Sequence, residues 1–227
     1  MRGSRRVFHL AAAEPGPSRL AALIQRRLPI TDVPSVPELR LHLAEPRSGL
    51  GRLLARDPAA AAPYWAHVWS GGLVLARYLL DHPPLVAGRS VLDLGAGSGL
   101  VAIAAARAGA EAVQAVEVDP YATEAIALNA ALNGVSVVPL CADILDAAPP
   151  MVDVILVGDL FYEAGLATRV AAFLDRCTAA GCLVLVGDPG RAALPLHRLV
   201  TIHAAPVAEF GSGHAAMPAQ VFRYGAS

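Results

Sequence analysis

Val91-Leu92-Asp93-Leu94-Gly95-Ala96-Gly97-Ser98-Gly99-Leu100 decides how the chain is read. An apolar run ends in an acid, three alternating glycines follow, and an alanine-rich helical pattern starts at Gly99 and stops at Gly109. Glycine lets the backbone turn sharply and lets a ligand approach the main chain. The helix start offers free N–H groups to an anionic ligand part. The spacing is G-x-G-x-G after an Asp. A dinucleotide pyrophosphate site has G-x-G-x-x-G, so hydride transfer with a nicotinamide cofactor is disfavoured.

Outward from this stretch, strands alternate with helices. The pattern predicts a helix over 73–80, a strand over 90–94, a helix over 99–108 and a strand over 112–118. Asp119-Pro120 opens a helix running to Asn133, with Gly134 behind it. Strands follow over 135–140 and 152–157, then a helix over 162–179 and a strand over 182–187. Two tail strands, over 200–210 and 219–224, are joined by a glycine-containing loop. The expected fold is α/β: a doubly wound, mostly parallel, Rossmann-like seven-stranded sheet with a C-terminal β-hairpin. Residues 1–62 read as a basic, helical N-terminal arm on a body spanning 63–227. The arm is predicted to hold a helix over 18–28, capped by Ser18 and ended by Pro29, and a second over 38–44. Ten arginines face four acids in residues 1–56, and eight face fifteen acids in the remainder.

All 18 basic residues are arginine; the chain has no lysine. A P-loop and Schiff-base catalysis are thereby excluded. Cys141, Cys177 and Cys182 show neither a zinc spacing nor a disulfide framework, so no metal and a reducing compartment are expected. No apolar run approaches the ~18 residues of a membrane span. Arg5-Arg6 looks like part of an export signal, but Glu14-Pro15 breaks the apolar stretch behind it. The expectation is a cytoplasmic protein, with a mitochondrial presequence as the open alternative.

Acids recur at strand ends. Glu117 lies 24 residues after Asp93, where a carboxylate can take both hydroxyls of a ribose. Asp143 follows the third strand as an acceptor for an adenine amino group, and Ile144 beside it offers an apolar cover. Asp119, before Pro120, reads first as a helix cap. This order resembles the seven-stranded S-adenosylmethionine-dependent methyltransferases. The resemblance implies that Asp93 and the loop of Gly95, Ala96, Gly97 and Gly99 hold the methionine part, Glu117 the ribose, and Asp143 with Ile144 the adenine.

Gly158-Asp159-Leu160-Phe161-Tyr162 ends the fourth strand, where the acceptor should meet the methyl group. Its D-x-x-Y arrangement, with no proline, is similar to protein-lysine methyltransferases. Pro63-Tyr64-Trp65-Ala66-His67-Val68-Trp69-Ser70-Gly71-Gly72 and Val186-Gly187-Asp188-Pro189-Gly190-Arg191 extend the likeness. With them the chain resembles the lysine methyltransferases of electron transfer flavoprotein β subunit. Glu117 stands where aspartate is common in that family, and His67 is atypical. The resemblance implies S-adenosylmethionine as cofactor, with Trp69 and Gly158 against it. It implies a catalytic group of Asp159, Phe161 and Tyr162, and a protein substrate: the flavoprotein β subunit, or an acidic ribosomal protein. A monomer without nucleic-acid or membrane partners is expected. A small-molecule methyltransferase and a catalytically silent cofactor binder stay open.

Overall fold

The computed structural model describes residues 18–45, 48–51, 62–208 and 216–225. The export-signal reading falls on residues outside these, as does the loop joining the last two strands.

Helix α1 (Arg19–Arg27) begins where Ser18 accepts the Ala21 N–H at 2.9 Å, and it buries Ile24. The predicted second helix over 38–44 is instead a strand. Strands β1 (Ile30–Val33) and β2 (Val36–His42) form an antiparallel hairpin. Pro34 presets the turn and Ser35 takes the left-handed φ of 63°. Leu39 and Leu41 point inward while Glu38 and Arg40 point out, a period of two that suits a strand.

Helix α2 (Ser70–Asp81) leads into strand β3 (Ser90–Leu94), helix α3 (Leu100–Arg107) and strand β4 (Ala112–Glu117). Helix α4 (Pro120–Leu132), strand β5 (Val138–Cys141), strand β6 (Val154–Gly158) and helix α5 (Ala164–Ala179) follow. Strands β7 (Leu183–Asp188), β8 (Leu199–Ala208) and β9 (Ala216–Tyr224) complete a seven-stranded sheet ordered β5-β4-β3-β6-β7-β9-β8. The first five strands run parallel, and β9 is antiparallel to both β7 and β8.

The central strands are apolar on both faces, as buried parallel strands must be. Val154 and Leu156 of β6 enter one core with Val101 of α3, Leu73 of α2 and Leu39 and Leu41 of the hairpin. Ile155 and Val157 enter the other, with Val170 and Phe173 of α5. The hairpin therefore shares the main core. Its open edge is held by α4: Asn133 Oδ1 accepts the Arg40 N–H at 3.0 Å, and Asn129 Oδ1 accepts the His42 N–H at 2.8 Å.

Candidate active site

Successive strands run outward from β3 to β4 and β5 on one side, and through β6 to β7 on the other. Ligands of such sheets bind outside the carboxyl ends at this switch point. A cavity of about 670 Å³ lies there.

At the end of β3, the buried Asp93 carboxylate accepts the Ala102 N–H at 2.9 Å. Burial pushes its pKa up to about 7; the Ala102 amide opposes the rise and the Glu117 charge adds to it. The Gly95 and Ala96 amides donate to Val116 O at 2.9 and 3.1 Å, which pins the glycine loop against β4. Gly95, Ala96 and Gly97 face the cavity. Gly99 stands behind them as the N-cap of α3, at a φ of 83° that a side chain would oppose.

At the end of β4, Glu117 Oε2 accepts the Gly97 N–H at 3.0 Å, while Oε1 accepts the Val118 N–H at 2.6 Å. Asp119 caps α4 by accepting the Tyr121 N–H at 2.8 Å, and it also reaches the cavity wall. Beyond β5, Asp143 accepts the Leu145 N–H at 3.0 Å and pairs with Arg169 at 2.9 Å. That amide first, and then the guanidinium, hold its carboxyl below the usual range. Ile144 lines the wall next to it.

At the end of β6, Asp159 adopts a φ of 58° and is 8% exposed. Its N–H donates to Gly187 O at 3.0 Å. Oδ2 accepts the Gly72 N–H at 2.8 Å, and Oδ1 accepts Arg191 Nη2 at 2.7 Å and Nε at 3.3 Å. Burial raises this carboxyl; Arg191 and the Gly72 amide pull it down, and Asp188 pushes it up. The start of α2 reaches Asp159 because Gly71 and Gly187 lack side chains. A Cβ on Gly71 would fall on the Gly187 carbonyl and the Asp159 carboxylate.

Three rings stand at the mouth: Tyr64, Tyr162 and Trp69, with exposures of 62%, 59% and 37%. Tyr64 lies 6.1 Å from Trp69 and 6.5 Å from Tyr162 between ring centroids, and Trp69 Nε1 donates to Tyr64 O at 3.1 Å. Phe161 is a correction: it is fully buried in the core over β6 with Phe173 and does not line the cavity. The turn after Asp159 sends alternate side chains to opposite sides, Tyr162 outward and Phe161 inward.

Sequence reasoning assigned no role to Trp65, Tyr64, Arg169 or Arg191, all of which line the cavity. Trp65 stacks on Tyr121, with 6.5 Å between centroids and 14° between planes. Its buried indole Nε1–H has no hydrogen-bond partner.

The donor set fits S-adenosylmethionine. Carboxylates at three strand ends suit an ammonium, a ribose diol and an adenine amine, and the buried Trp65 N–H is an unclaimed donor at the cavity wall. Similar proteins agree. The ribosomal protein L11 methyltransferase family (PrmA) matches residues 78–158. The "Electron transfer flavoprotein beta subunit lysine methyltransferase" of Rattus norvegicus is 41% identical over 184 residues, 80% of this chain and 72% of the rat protein. The human protein of the same name is 39% identical over 183 residues, 79% of this chain and 70% of its own length. Among solved structures, a Thermus thermophilus 16S rRNA N2 G1207 methyltransferase in complex with AdoMet and guanosine aligns with a TM-score of 0.50. It is 23% identical and covers 75% of this chain and 45% of its own. That likeness shows the fold; membership among the methyltransferases makes S-adenosylmethionine the methyl donor. This chain belongs to the family of electron transfer flavoprotein beta subunit lysine methyltransferases.

Proposed function

We propose that this methyltransferase acts on a lysine of the electron transfer flavoprotein β subunit. Its likeness to relatives of that name, sustained over four-fifths of the chain, carries the reading. The site supports it. Asp159 sits beneath a collar of Tyr64, Trp69 and Tyr162 that a long, flexible side chain can thread, with the acids of the cofactor end beyond.

Bound S-adenosylmethionine supplies an electrophilic methyl group for in-line attack by an amine lone pair. A lysine amine has a pKa of ~10.4, so its free base costs on the order of 4–5 kcal/mol at pH 7. The half-buried collar desolvates the amine and favours the neutral form. Asp159 orients it by accepting an amine hydrogen at Oδ2, which has a second lone pair beyond the one that accepts the Gly72 N–H. Alignment provides most of the rate.

A ribosomal protein as a second acceptor is consistent with the L11 methyltransferase match. Nucleic acid is disfavoured because the cavity is lined by carboxylates. We further read the enzyme as a cytoplasmic monomer. Its three cysteines are free thiols, and among the described residues no helix is long and apolar enough to cross a membrane.

The test is incubation of the purified chain with labelled S-adenosylmethionine and the flavoprotein β subunit. Methyl-lysine in that subunit is expected; label confined to RNA or small molecules would sink the reading. Because this enzyme has no lysine, every methyl-lysine recovered belongs to the partner. Asp159→Ala should lower turnover by at least about a hundredfold while cofactor affinity stays within about threefold.

A further inference from the structure

Asp159 poses a problem for amine chemistry, because a lone carboxylate stabilises the ammonium and so opposes attack. The structure assigns Arg191 to that problem: we propose that it is the positioning residue that holds Asp159 in place and offsets its charge, so that the acceptor lysine reacts as the free base. The inference rests on the lysine-methyltransferase reading and deepens it.

Three observations converge. The guanidinium meets Asp159 Oδ1 through both Nη2 and Nε, at 2.7 and 3.3 Å, while the Gly72 N–H holds Oδ2 at 2.8 Å, so both carboxylate oxygens are anchored. Arg191 itself lines the cavity, so its charge faces the space an amine would enter. Its backbone is fixed from behind: Asp188 Oδ1 accepts the Gly190 and Arg191 N–H groups, both at 2.7 Å. The remaining oxygen, Asp188 Oδ2, is buried without a hydrogen-bond partner, and Arg191 Nε lies 4.0 Å from it. The guanidinium thus stands between two carboxylates and favours the one at the cavity.

The other titratable or charged groups lining the cavity are Tyr64, His67 and Tyr162, the acids Asp93, Glu117, Asp119 and Asp143, and Arg169 of α5, whose guanidinium is already paired with Asp143 and Asp146 at 2.9 and 2.7 Å. None of them replaces the charge of Arg191. They are common to wild type and variants, so a comparison between the two isolates the guanidinium.

The experiment is a single-turnover rate profile from pH 6 to 9.5, with saturating cofactor and excess enzyme over the flavoprotein β subunit. For wild type the rate should rise with pH to a plateau. Removing a positive charge a few ångströms from the bound amine should raise its apparent pKa by about one to two pH units. Arg191→Met should therefore lose about tenfold or more near pH 7 and recover to within about threefold at pH 9.5. Arg191→Lys, which keeps the charge, should retain the wild-type midpoint. Cofactor affinity of both variants should stay within about threefold of wild type. A rate loss in Arg191→Met that is uniform across pH, no loss at all, or a midpoint in Arg191→Lys displaced as far as in Arg191→Met would overturn the assignment. If Arg191→Met loses cofactor binding, Arg191→Gln, which also removes the charge but keeps a hydrogen-bond donor, takes its place and is held to the same outcomes. A wild-type enzyme that places no methyl on any protein lysine would overturn the lysine reading and this inference with it. An active wild type with unmoved midpoints would overturn only the latter.

Discussion

Asp93 is a carboxyl group whose protonation state depends on what lies beside it. Its pKa, pushed up to about 7 by burial, exceeds the ordinary aspartate value of roughly 3.9. Between those values the folded chain holds a proton that the unfolded chain has released, so this group's contribution to stability declines as pH rises from about 4 to 7. An ammonium placed beside it reverses the preference, and binding should then release a proton. We expect S-adenosylmethionine affinity, measured by calorimetry, to rise about tenfold from pH 6 to 8 and to flatten in Asp93→Asn. A slope unchanged in that variant would remove Asp93 from the cofactor end. The acids at the strand ends were legible in the sequence because each comes after a short apolar run. Arg191 was not, because it lies 32 residues from Asp159 and no periodicity links them. Phe161 misled for a related reason. Adjacency to a reactive residue implies proximity to the cavity only if the chain direction is known, and the left-handed φ of Asp159 redirects the next residues of the chain.

At the scale of elements, the approach of α2 to the ends of β6 and β7 makes the acceptor side of the site. Gly71 and Gly187 touch backbone to backbone, whereas a Cβ on Gly72 would first meet Val101, at an ordinary 3.8 Å. Gly71→Ala should therefore cost about 2–4 kcal/mol in chemical denaturation and depress turnover, while Gly72→Ala should change stability by less than about 1 kcal/mol. Equal costs at the two positions would show that the contact is not limiting. Strand β3 was readable to the residue, since five residues between a turn and a glycine loop, with Val91, Leu92 and Leu94 apolar, are too few for a helix. The β1–β2 hairpin was not. A register shift between Asp32 and Val33 interrupts its alternation, and Pro34 and Pro37 obscure the rest. The asparagines that satisfy its open edge, Asn129 on α4 and Asn133 at that helix's C-cap, lie about 90 residues away.

For the whole molecule, the β1–β2 hairpin packs into the core of the main sheet. Leu39 and Leu41 are fully buried in the same core as Leu73, Val101 and Leu156. Leu39→Ala should destabilise by about 2–5 kcal/mol and shift one cooperative transition in scanning calorimetry. An early, separate melt at low temperature would show instead that the hairpin is an appendage. The sheet has a further property in time. Strand β8 reaches the sheet only through β9, which is made after it yet lies between it and β7. During synthesis, which proceeds at about 5–20 residues per second, β3 to β7 can assemble in the order they leave the ribosome. Strand β8 must wait, unpaired, until β9 has emerged and slotted in beside β7. The nascent chain therefore presents an open sheet edge at β7 from the time that strand emerges until β9 does, the interval in which chaperone capture or mispairing would occur.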